Sequence, residues 1–202
     1  MNTPQSLRRA SALSKLLSRK LHEQPLPANL RNRVAGACLA VALDHQQAVV
    51  VLLEQDPPLY SSAFALVRPV FESYLRGLWL SHCASDRQVE LFSKGGKPPD
   101  AASLVTAVEK VGAFDGMQLT GVYKKQWSSL SSYTHTGGLQ VQRWNTAEAI
   151  EPRFEDTEVA EVIDFTAAIA ILSALSMASL AKNEALAQEL LEVAKEHAKN
   201  EV

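Results

Sequence analysis

Apolar residues recur along most of this chain at three- and four-residue steps, the period of an amphipathic helix, and no stretch alternates as a half-buried strand would. The pattern predicts an all-α helical bundle with a four- or five-helix core and additional helices. A first helix from about Thr3 to His22 stops at Pro25 and Pro27. A second runs from about Ala28 to Glu54 and ends at Asp56-Pro57-Pro58. The third covers about Tyr60 to Ala84, and Pro69 is expected to kink it or start a new turn. A short helix near Asp86 to Phe92 gives way to the Lys94-Gly95-Gly96-Lys97-Pro98-Pro99 loop. Asp100 then caps a helix to about Val111, and Gly112 and Gly116 bracket a turn. Another helix, about Leu119 to Tyr133, runs into Gly137-Gly138, where glycines suit a C-terminal stop. Residues 139–156 read as irregular or a short helix. Asp156 or Thr157 caps a long apolar helix to about Ala181, and an amphipathic one follows through Leu186, Leu190, Val193 and His197.

The second helix is apolar almost all round, which predicts a central, buried element. In its middle sit Asp44 and His45. A carboxylate buried there needs a partner, because an unpaired buried charge is very costly. The next helix offers Arg68, Glu72 and Arg76, three charges at four-residue steps on one face. They lie among Val67, Val70, Phe71, Tyr74, Leu78 and Trp79, whereas a solvated ladder of ion pairs normally lies among polar residues. A semi-buried cluster is expected, with Asp44 paired to the arginines of the antiparallel neighbour. Glu72 would orient the guanidinium forks for an anion.

Composition narrows the class. The 202 residues form a single helical domain, 1–202, with amphipathic helices over 1–24 and 183–202. A formal charge of −2 supplies no global basic field, so extensive non-specific nucleic-acid binding is disfavoured. Cys38 and Cys83 lie in apolar helical surroundings without CxxC spacing, as buried thiols of a reducing, cytoplasmic compartment would. The uncharged run from Phe165 to Ala181 is slightly short for a span and carries Thr166, Ser173, Ser176 and Ser179, so a buried helix and no membrane span is expected. Asp44, His45, Glu72, His82 and His135 are metal-ligand types, but no Glu-x-x-His or His-x-x-x-His pair joins them on a helix. No metal or cofactor is expected. Trp79, Trp127 and Trp144 read as core anchors rather than stacking platforms.

Arg76-Gly77-Leu78-Trp79-Leu80-Ser81-His82 is similar to the Arg-x4–6-His motif of the HEPN superfamily, compact helical bundles that include metal-independent RNases of toxin–antitoxin and phage-defence systems. The resemblance implies an arginine on the scissile phosphate, here Arg76, and a histidine in acid–base chemistry, here His82. Gly77 departs from the polar residue usual after that arginine, and in a regular helix Arg76 and His82 point apart. The wider order of Asp44-His45, an Arg-Pro-x-x-Glu-x-x-x-Arg helix and Tyr133-Thr134-His135-Thr136-Gly137 resembles uncharacterised bacterial helical proteins related to abortive-infection families, over about residues 44 to 143. A histidine in the last helical turn has its cation favoured by the helix dipole, which makes His135 a second candidate acid–base group.

Together these residues predict a polar cleft lined by Asp44, His45, Arg68, Glu72, Arg76, His82, Tyr133 and His135. RNA or a nucleotide is the expected ligand, with Arg76, His82 and His135 as the catalytic set. The competing expectation is a non-catalytic interaction module, homo-oligomeric through its first or last helix, in which the same residues form a structural network.

Overall fold

A computed structural model of the chain describes residues 3–112 and 119–199. Among these residues the fold is all-α, as the periodicity requires, with α1 (Thr3–Leu21), α2 (Leu30–Leu53), α3 (Tyr60–His82), α4 (Asp86–Ser93) and α5 (Ala101–Glu109) in the first half. The second half holds α6 (Leu119–Thr134), α7 (Gly138–Gln142), α8 (Asp156–Leu180) and α9 (Glu184–Lys199). The turn expected at Gly112 to Gly116 falls mostly outside the described residues.

The α2–α3 hairpin is the spine, with α8 against both and α1 laid over α2 and α8. Tyr74, Leu75, Leu78 and Trp79 of α3 share the largest apolar cluster with Ala35 and Leu39 of α2 and with Leu104, Val105 and Val108 of α5. A second cluster joins Leu13 and Leu17 of α1 to Ala170 and Ala174 of α8 and to Leu186 and Leu190 of α9. Burial is deepest along α3, where the Tyr74 phenol is pushed well above its usual pKa by desolvation.

Helix ends follow local chemistry. Asn29 caps α2 by accepting from Asn32 N, and Asp100 caps α5, as expected, by accepting from Ser103 N (2.8 Å). α8 starts one residue earlier than expected, with Glu155 as N-cap and its N–H donated to Glu158. Arg31 gathers the end of α3, donating to the carbonyls of Leu80 (2.6 Å) and Ala84 (2.7 Å) and pairing with Asp86.

Two expectations need correction. α2 is not buried all round: Arg33, Ala37, Ala40, Val41, Asp44, Gln47 and Val51 form an exposed strip, because α3, α8 and α1 cover only its other sides. By length and composition α2 and α8 would each suffice to cross a membrane, and in the bundle they pack against one another. Of the two outcomes expected at Pro69, a fresh start does not occur: α3 is one helix from Tyr60 to His82 with Pro69 inside it.

Proline has no N–H to give the carbonyl four residues back, so Pro69 leaves Ala65 O without its helical donor. The Thr134 hydroxyl of α6 lies 3.1 Å from that oxygen and 2.9 Å from Leu130 O. The defect in α3 is thus a docking point for α6. α6 packs on α3 and α5 and makes no comparably broad contact with α8.

Gly77 marks the tightest approach of α3 to α2. A Cβ there would lie 2.6 Å from Leu39 Cδ2 and 2.7 Å from its Cγ, and Leu39 is fully buried. Gly77→Val is expected to cost about 2 kcal/mol by overpacking. Denaturant unfolding reads it, and an unchanged midpoint would contradict this packing.

Candidate functional site

Arg68, Glu72 and Arg76 do form one cluster on α3. Glu72 accepts from Arg68 Nε at 2.7 Å through one oxygen and from Arg76 Nη2 through the other. Its side chain is only 16% exposed, against 22% for Arg68 and 32% for Arg76. One carboxylate therefore serves two guanidinium groups and the cluster carries a net positive charge. Arg76 Nε is buried with no acceptor among the described residues.

α6 completes this wall. Arg68 Nη1 donates to Ser131 Oγ (3.2 Å) and meets His135 Nε2 at 3.0 Å. Its guanidinium carbon stands 4.3 Å from the Trp127 ring centroid, within cation–π range. Ser131 Oγ in turn donates to Trp127 O (2.7 Å). Because a guanidinium only donates, His135 Nε2 is the acceptor in this contact.

The α6 terminus that aims His135 depends on the two following residues. Gly137 N reaches back to Ser132 O (2.7 Å), and the left-handed residue between is Thr136, with φ +53°. Glycine at 137 answers a different need: a Cβ there would lie 2.6 Å from Ser132 Oγ and 3.0 Å from Ser132 Cα. Ser132 Oγ also accepts from Leu139 N (3.0 Å), which starts α7 close behind.

Other expected members stand elsewhere. Asp44 is exposed on α2 and lines a cavity with Ser14 and Ser18 of α1 and with His22 just after it. Among the described residues no hydrogen bond or ion pair joins it or the half-buried His45 to the arginines, whose carboxylate is Glu72. Its face of α2 points away from α3, so the expected Asp44–arginine pairing does not form.

His82 ends α3, six residues beyond Arg76 in an unbroken helix, which turns the two side chains roughly 120° apart. It is exposed by area, yet enough protein surrounds the imidazole for desolvation to lower its pKa. Tyr133 faces the far flank of α6, its ring edge-on to Phe64 (centroids 5.0 Å apart), so it does not line the arginine cluster. The structure thus assembles Arg68, Glu72, Arg76 and His135, and not Asp44, His45, His82 or Tyr133.

Trp127 and Ser131 are the members that sequence reasoning missed. Trp127 is half-buried beneath Arg68, and only Trp79 of the three tryptophans is in the core. Trp144 is exposed and donates to Ser61 Oγ (2.6 Å). The signal for Trp127 and Ser131 was their spacing from His135, since steps of four put all three on one face of α6. Burial disfavours the thiolate form of both cysteines. Burial raises the Cys38 pKa, opposed by Arg76, and burial raises that of Cys83. Among the described residues no group of three or more potential metal ligands comes together.

Residues 39–200 match a family of unknown function (DUF6988), a span that includes α3, α6 and all members of the cluster. Neither a curated protein nor a solved structure matches the chain.

A threonine in the left-handed region is strained, because its β-branched side chain crowds the backbone. Thr136→Gly is expected to stabilise the protein by about 1 kcal/mol while keeping the α6 terminus. A rise in thermal midpoint checks this; a fall would mean that the threonine side chain holds the turn.

Proposed function

The chain belongs to the DUF6988 family, and we propose that it binds a phosphate-bearing ligand, a nucleotide or an RNA strand, at the Arg68–Glu72–Arg76–His135 wall. The observation that carries this reading is the sharing of Glu72 between two arginines, which leaves positive charge and unspent guanidinium donors on a half-buried surface. Guanidinium forks suit phosphate oxygens, and Glu72 holds both forks in place. Trp127 adds an aromatic surface against Arg68.

Binding is favoured over cleavage. A HEPN-type reaction pairs Arg76 with His82, and six residues of continuous helix turn these apart. Gly77, the position that departs from the HEPN motif, is taken up by packing against Leu39. His135 is within reach of the cluster, yet its Nε2 is engaged by Arg68.

A second reading is a structural network in a self-associating interaction module. It is favoured by Arg68, which ties α3 to Trp127, Ser131 and His135 of α6, and by the exposed Val41 and Val51 of α2 as an apolar surface.

Titration of the protein with ATP and with a short single-stranded RNA separates the two. Under the binding reading Arg76→Gln weakens both by about tenfold or more, the scale of a charge-assisted hydrogen bond, with little change in thermal midpoint. Lack of wild-type binding, or equal binding by Arg76→Gln, contradicts it. The network reading predicts instead that Arg68→Gln lowers the midpoint and that no phosphate ligand raises it.

A further inference from the structure

α6 has two flanks, and the second borders a cleft that phosphate recognition leaves unused. Because α6 docks on α3 and stands off from α8, a cavity of about 330 Å³ opens between them. Phe64 and Val67 of α3 form its floor, with Leu130 and Tyr133 of α6 on one side and Val162 and Phe165 of α8 on the other. An apolar, aromatic-lined space of this size with a few polar groups is the usual form of a small-molecule site.

The polar groups decide the class of ligand. Arg143 donates to Glu158, and Tyr133 hydrogen-bonds the same guanidinium. Desolvation works against the Arg143 charge, but Tyr133 and Glu158 outweigh it and its pKa is raised. That pair is internally neutral. Glu161, one turn along α8, also lines the cleft, is exposed, and has no hydrogen bond or ion pair among the described residues. The lining groups therefore carry one uncompensated negative charge, opposite in sign to the arginine wall on the other flank of α6. Arg143 Nε is buried without an acceptor among the described residues, but the charge of that guanidinium is already matched by Glu158, whereas a cation finds the unmatched Glu161 carboxylate beside an aromatic pocket.

We propose that the α3–α6–α8 cleft binds a small aromatic or aliphatic amine, its apolar body between Tyr133 and Phe165 and its ammonium on Glu161. This site is independent of the phosphate reading. It also accounts for Tyr133, which the arginine cluster leaves out.

The test is calorimetric titration of the full chain with tryptamine and with indole-3-propionate, which share a ring and differ in charge. Tryptamine is expected to bind and the propionate to bind at least tenfold more weakly, the scale of a charge-assisted hydrogen bond. Glu161→Gln lies on the surface and should fold normally while weakening tryptamine by a similar factor. Arg76→Gln should leave tryptamine binding unchanged, which separates this site from the phosphate wall. Equal affinity for the two indoles, an unchanged tryptamine affinity in Glu161→Gln, or no tryptamine binding at millimolar concentration would each overturn the proposal.

Discussion

The Ala65 carbonyl, left without its helical donor by Pro69 and met by the Thr134 hydroxyl, is the contact on which the arrangement of this protein turns. A carbonyl freed inside a packed helix must find a donor or carry the cost of an unmet acceptor. Here the donor belongs to another helix: the Thr134 hydroxyl shares its one proton between Ala65 O (3.1 Å) and Leu130 O of its own helix (2.9 Å), and so ties α6 to the middle of α3. Arg68 lies three residues beyond Ala65, and His135 directly follows Thr134. The same contact therefore brings Arg68 within reach of Ser131 and His135. On its other flank α6 stands off from α8 and leaves the cleft.

The two flanks of α6 differ in electrostatics for a local reason. On one, Glu72 divides its two oxygens between Arg68 and Arg76, so positive charge is left over. On the other, Arg143 is matched by Glu158, and Glu161 is left over. A helix with faces of opposite surplus charge can serve two ligands of opposite sign without competition between them. The fold supplies the rigidity that either needs, since α3 is fully packed beneath both and Gly77 keeps it against α2.

Much of this was legible in the sequence. Four-residue spacing put Arg68, Glu72 and Arg76 on one face, and their apolar neighbours marked the face as half-buried. What the sequence could not supply was the partner across the interface. Asp44 was the acid expected beside the arginines, because α2 reads as apolar all round. The strip that carries Asp44 instead lies open, since apolar composition allows burial without requiring it. Pro69 was visible as a defect, but proline shows only which carbonyl is freed and not which donor answers it. Thr136 hid behind two glycines: the left-handed position fell on threonine because close contact with Ser132 required glycine one residue later. His82 shared a motif spacing with Arg76, yet six residues of continuous helix turn them apart.

The most direct test of the docking claim is a double-mutant cycle of Pro69→Ala and Thr134→Val, read by denaturant unfolding. With alanine at 69 the Ala65 carbonyl regains an N–H donor within α3, so the threonine hydroxyl becomes dispensable there. Thr134→Val should cost about 1–2 kcal/mol in the natural background, the scale of an unmet buried acceptor, and much less in the Pro69→Ala background. An equal cost in both backgrounds would contradict the account, because the hydroxyl would then act independently of the carbonyl that proline exposes.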